Sequence, residues 1–158
     1  MLRLIGRSLT YQSRRYLAAP AENKLVLTLA SPGQVYYNQK EVYQVDIPGL
    51  NCDFGVLAQH VPTLSCLKPG VLSVTELDNA VKKYFVSSGS VTVNEDSTIQ
   101  VLAEEAHTLD KFDIHLAKEG LSKAQQGLSA GTDVAKAEAQ VEVECYEAII
   151  KALEGHKH

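Results

Sequence analysis

The stretch Ser90–Ala117, SVTVNEDSTIQVLAEEAHTLDKFDIHLA, changes period part-way along. Its first part alternates. Val91 and Val93 fall on one side of a polar turn, Asn94–Ser97, and Ile99 and Val101 on the other. Alternation of apolar and polar residues is the signature of a half-buried strand, so the two runs read as a hairpin with these four side chains facing inward. After Thr108 the alternation stops. Ile114 and Ala117 begin a series that continues through Leu121, Ala124 and Leu128 at spacings of three and four. That spacing places them on one stripe of a helix. A fold that switches once from period two to period 3.6 has its strands and helices in separate units.

Upstream of this switch the strand pattern extends back to Lys24. KLVLTLA puts Leu25, Leu27 and Leu29 on one face, and VYQVDI does the same for Tyr43, Val45 and Ile47. Turn residues in SPG, IPG, KPG and LDNA punctuate the runs about every ten residues, as in sandwiches and flattened barrels. Downstream, a second series, Val134, Ala137, Val141, Cys145, Ala148 and Ala152, follows the short break SAGTD. Gly131 ends one helix there, and Thr132 or Asp133 caps the next. The expected fold class is α+β by segregated domains: an antiparallel β-sandwich over 24–108, then an antiparallel helical hairpin over 109–155. A lone hairpin of this length is marginal, so it is expected to rest on the sandwich, on itself in one register, or on a partner.

The bulk numbers narrow the function. With 158 residues, 45% hydrophobic and 22% charged, the chain has an ordinary globular composition. No apolar run approaches the roughly 20 residues of a membrane-spanning helix. Three cysteines form no disulfide framework and point to free thiols. The first residues, MLRLIGRSLTYQSRRYLAAP, contain four arginines and no acid, with hydroxyl residues interspersed. This is the pattern of a mitochondrial transit peptide, assigned to 1–17 with an approximate cleavage point; a disordered basic arm is the alternative. Losing those arginines takes the formal net charge from -4 to -8. So acidic a chain is poorly suited to nucleic acid or anionic lipid, where phosphate neutralisation demands basic patches.

Candidate chemistry concentrates in CDFGVLAQHVPTLSCLKPG, Cys52–Gly70. Cys52, His60 and Cys66 are separated by seven and five residues, whereas structural zinc sites use close ligand pairs, so a metal is not expected. A Cys–His nucleophile, with Asp53 as the orienting group, lacks any mark of thiol activation. Cys66 and Cys145 are expected to pack as small hydrophobes. The sequence holds no phosphate-cradling glycine loop. What remains is a shaped loop. Gly55 offers a positive φ or a close backbone approach, and Pro62 fixes φ after His60. Phe54, Val56 and Leu57 beside Asp53 and His60 suit either a docking surface or the filling of one end of the sandwich.

DFGVLAQHVPTLSCLKPG, KYFVSSGSVTVNEDSTIQVLAEEA and TLDKFD, taken in order, closely resemble the ATP synthase family that unites the mitochondrial delta subunit with the bacterial and chloroplast epsilon subunit. The resemblance runs from about Leu25 to Leu153. It implies a non-catalytic rotor part with no cofactor, on the matrix side of the mitochondrial inner membrane. Its implied partners are the gamma subunit, the ring of membrane c subunits and the small mitochondrial epsilon subunit. It further implies that the segment Asn51–His60 meets the polar loops of the c ring. Asp53 matches the family's acidic position there and His60 its histidine, with Phe54, Gly55, Leu57 and Pro62 completing the contact. Cys52 stands where bacterial members often have glycine, and Ala58–Gln59 replaces a common proline–glycine. Several bacterial relatives bind ATP at the start of the first helix. In FDIHLA, Leu116 stands where their arginine would be, so no nucleotide is expected there. The competing reading is a β-sandwich adaptor module outside any rotary enzyme.

Overall fold

The computed structural model describes residues 24–129 and 132–155. The transit-like segment 1–17 lies outside them. Ten strands form two five-stranded sheets. The first sheet has the order β2 (Gln34–Val42), β1 (Leu25–Ser31), β9 (Thr98–Ala103), β8 (Gly89–Val93), β5 (Thr63–Leu67). The second has the order β10 (Ala106–Thr108), β7 (Val81–Val86), β6 (Gly70–Thr75), β3 (Gln44–Pro48), β4 (Asp53–Leu57). The β8–β9 hairpin forms with its four expected side chains inward, Val91 opposite Val101 and Val93 opposite Ile99. One pairing departs from the antiparallel rule: β1 lies parallel to β9.

Between the sheets sits a core that includes Leu25, Leu27, Leu29, Val45, Val56, Val91, Ile99 and Val101, each with no exposed surface. Tyr43 does not join it. This residue sits at the bend between β2 and β3 and is 47% exposed, because Val42 takes the inward position before the chain crosses sheets. In β2 the register against β1 slips twice, between Leu27 and Leu29 and between Leu29 and Ala30. Each slip adds a residue to β2, and the added residues turn both Tyr36 and Tyr37 toward the Tyr84 ring in the opposite sheet.

Tyr84, Phe85 and Val86 are buried in succession. An antiparallel strand shows this only where both faces are covered. Phe85 points away from the main core, into a second cluster with Leu109, Ala117, Ile149 and Ala152, flanked by Val71 and Phe112. The helical hairpin thus lies on the outer face of the second sheet. Asp113 caps α1 (Ile114–Ser129), its Oδ1 accepting from the His115 amide at 2.7 Å. Thr132 caps α2 (Asp133–Glu154), with Oγ1 accepting from the Ala135 amide.

The buried face of α2 differs from the expected stripe. Val134 and Val141 are 69% and 66% exposed, and Ala137 is exposed too. Ala139, Val143 and Ile149 are buried instead, while the later members of the expected stripe, Cys145, Ala148 and Ala152, do pack inward. Glycine on α1 explains the rotation: a Cβ at Gly120 would stand 2.5 Å from the Tyr146 ring, and one at Gly127 would stand 3.3 Å from the Ala139 Cβ. Ala117, Gly120, Ala124 and Gly127 form a shallow groove that admits Tyr146. The face carrying Tyr146 and Ile149 buries more apolar surface than the Val134 face could.

Candidate functional site

The segment Cys52–Gly70 is not a loop. It forms β4 at the edge of the second sheet, a turn over 58–62, and β5 at the edge of the first. The turn is closed by the His60 amide on the Leu57 carbonyl at 3.2 Å, and Gln59 takes φ 63° inside it. The Gln59 amide also donates to Ser97 Oγ, tying the turn to the β8–β9 hairpin. Further along, the Leu50 amide bonds the Cys66 carbonyl and Gly49 pairs with Leu67, so the two sheets are joined along this side.

This geometry separates the expected contact residues. Asp53 opens β4, paired across the hairpin with Pro48, and its carboxylate is 2.8 Å from Lys68 Nζ. Leu57 closes the same strand, roughly 13 Å away at the rise of an extended chain. His60 and the exposed Pro62 lie beyond it. Phe54 is half-buried against the core, and its ring centroid is 6.4 Å from that of His60. His60 Nδ1 lies 2.8 Å from the Val61 carbonyl. Thus Asp53 marks one end of the sandwich edge, and Leu57, His60 and Pro62 mark the other.

Gly55 has no positive φ; among the described glycines only Gly89 does. Its role is proximity: a Cβ there would stand 2.8 Å from Asp46 Oδ1, itself held by Gln44 Nε2 at 2.6 Å. Cys66 is exposed, contrary to its expected core position, because β5 turns Leu64 and Cys66 outward and Leu67 inward. Cys52 is exposed as well. Cys145 does pack against the hairpin cluster, and burial, then the Glu105 carboxylate, pushes its thiol pKa up, the reverse of activation. Among the described residues no cluster of metal-ligating side chains occurs.

Sequence reasoning missed the outer face of the first sheet. Its cross-strand rows read Leu64–Thr92–Gln100–Thr28 and Cys66–Ser90–Leu102–Ala30–Val35. Neither row contains a charged side chain. Leu64 is 78% exposed, Leu102 54% and Val35 60%. The next outward row, Thr98–Val26–Glu41, brings in charge, with Glu41 paired to Lys24 at 3.1 Å. A sheet face with two adjacent uncharged rows and large apolar residues in the open, on a chain that covers its other sheet with helices, has the character of an interface. The signal was present in the outward positions of β5, β8 and β9, which lack the lysines and glutamates of a solvated face.

Comparison with known proteins places this architecture. The ATP synthase delta/epsilon chain β-sandwich model matches residues 24–108. The model for the C-terminal domain of the metazoan delta subunit of F1F0-ATP synthase matches residues 112–152. The chain belongs to the ATP synthase delta/epsilon family. Its relatives include the mitochondrial ATP synthase subunit delta of Caenorhabditis elegans, 45% identical over 96% of each chain. That of Yarrowia lipolytica is 42% identical over 86% of this chain and 84% of its own. The fold also matches a chain in the OSCP/F1/c-ring structure of Euglena gracilis mitochondrial ATP synthase, with TM-score 0.79, 22% identity and coverage of 98% and 91%. A second match, to a chain in the central stalk/c-ring structure from Tetrahymena thermophila, has TM-score 0.62, 17% identity and coverage of 82% and 96%.

Proposed function

We propose that this chain is a non-catalytic central-stalk subunit of the proton-translocating mitochondrial ATP synthase, linking the gamma subunit to the c ring on the matrix side of the inner membrane. The observation that carries the reading is the uncovered face of the first sheet, with its two uncharged rows around Leu64 and Leu102, in a chain of this family. That face suits the gamma subunit. The Asp53 end of the edge suits the polar loops of the c ring, and exposed Leu116, Val134 and Val141 on the hairpin suit the small epsilon subunit. Among the described residues no helix is long and apolar enough to cross a membrane. Residues 1–17 serve as the transit peptide, 24–108 as the stiff sandwich and 109–155 as the second contact unit.

Mechanically, such a part transmits torque only if it is rigid and held at both ends. The close-packed core supplies rigidity. The Asp53–Lys68 pair, open to water on both partners, adds little affinity and mainly sets orientation at the ring. Affinity purification of the tagged chain from mitochondria tests the reading. Recovery with gamma, c and catalytic subunits is expected; recovery with unrelated partners would instead make the chain an adaptor. Replacing Asp53 and His60 together with alanine is expected to loosen ring contact while the sandwich stays folded.

A further inference from the structure

A cleft of about 350 Å³ opens where the last turns of α2 meet the second sheet, on the side of β3 and β4. Three lysines line it: Lys68 from the β5–β6 connection, Lys83 from β7 and Lys151 from α2. Lys83 stands opposite Ser73 of β6, which also lines the cleft. The one acid in the lining, Asp53, is taken by Lys68. Neither Lys83 nor Lys151 takes part in the ion pairs formed among the described residues. Val71 and Ala152 give the cleft an apolar wall. Two unneutralised ammonium groups facing one concavity repel each other, and a bound anion removes that cost. No residue of α1 lines the cleft, so it is separate from the helix start that carries Leu116.

We propose that this cleft binds a phosphate-bearing ligand, with Lys83 and Lys151 on the phosphate and the Val71–Ala152 wall against the attached apolar group. An anionic phosphate, monoester or diester, is attracted by both ammonium groups, and Ser73 adds a hydroxyl donor. The phosphate can come from a soluble phosphate ester or from a phospholipid headgroup.

The test is titration of the full chain with inorganic pyrophosphate at constant ionic strength, followed by amide NMR. Saturable shifts are expected at Ser73, Lys83 and Gly155, with Asp113–Leu116 unchanged. Combined Lys83→Ala and Lys151→Ala should weaken binding at least about tenfold, the loss of charge-assisted contacts. Lys123→Ala, on the far surface of α1, should leave it intact. The double variant should fold, since neither lysine has a carboxylate to orphan, and its thermal melt checks this. Shifts that do not saturate, that sodium chloride reproduces, or that persist in the double variant would overturn the site. Flotation with phosphatidylglycerol vesicles then separates the sources. Lysine-dependent flotation alongside pyrophosphate binding assigns a headgroup, and pyrophosphate binding without flotation assigns a soluble ester. Flotation without pyrophosphate binding counts against the site.

Discussion

Glu76 closes the sandwich at the level of single atoms. Its Oε1 accepts from Lys82 at 2.8 Å, Lys40 at 2.9 Å and the Tyr37 hydroxyl at 3.2 Å, joining β2 of one sheet to the β6–β7 corner of the other. The side chain is only 14% exposed. The Lys82 and Lys40 ammonium groups hold its pKa down to about 2 from the ordinary 4.5. A lowered folded pKa means that the folded state favours the carboxylate. The resulting stability is therefore present above pH 4.5 and is lost as pH falls through about 2. Glu76→Gln should cost about 1–2 kcal/mol at neutral pH. Urea unfolding across pH should show the wild-type advantage shrinking to nothing near pH 2; an advantage independent of pH would mean that packing, not charge, is responsible. Gly89 is a different case. Its φ is 155°, and a Cβ would stand 2.2 Å from the Leu102 carbonyl oxygen, a backbone atom that cannot step aside. Gly89→Ala should lose about 2–4 kcal/mol, through strain and a disturbed β8–β9 ladder. A loss under about 0.5 kcal/mol would show that the ladder adapts. Gly55→Ala meets only the ends of flexible side chains, so a much smaller loss is expected there, despite the motif that draws attention to it.

At the scale of elements, the hairpin rests on one face of one sheet, and Phe85 is its main anchor. The Phe85 ring meets that of Phe112 edge-on at 5.3 Å and packs with Ile149 and Ala152. Phe85→Ala should remove about 3–5 kcal/mol from that seam. Hydrogen exchange is expected to show lost protection across α1 and α2, while β1, β8 and β9 keep theirs. Equal loss in both units would mean that sandwich and hairpin unfold together. The same seam shows what the sequence could and could not reveal. Strands with one solvated face were legible from alternation alone, down to the inward orientation of Val91, Val93, Ile99 and Val101. Two buried faces break that alternation, as at Tyr84–Val86, and the covering element is then invisible locally. The choice of face on α2 was hidden for a related reason. Two apolar stripes compete, and Gly120 on another helix decides between them by making room for Tyr146. The edge at Cys52–Gly70 read as a loop because its strands are short and belong to different sheets. Pairing partners far along the chain set their state, not composition.

At the scale of the whole molecule, the two sheets have different outer surroundings. One carries its helices, while the other presents Leu64, Leu102 and Val35 among serine, threonine and glutamine. A free-standing sandwich of this kind would be expected to carry charge on both outer faces, as defence against edge and face association. Leaving two adjacent rows of one face uncharged makes sense if a partner covers them. Replacing Leu64 and Leu102 together with glutamate tests this, because both side chains already point to water. The fold should be indifferent, with a stability change within about 0.5 kcal/mol for each site. Assembly should not be indifferent: two carboxylates buried without partners at an interface cost several kcal/mol. In mitochondria the double variant should be imported but no longer recovered with the gamma subunit. A parallel Val134→Glu and Val141→Glu pair on the hairpin should instead reduce recovery of the small epsilon subunit. If the Leu64/Leu102 variant co-purifies with gamma as well as wild type does, the open sheet is not the stalk-facing surface. The gamma contact would then have to lie on another surface, and the β4–β5 edge is the next one to test by the same substitution.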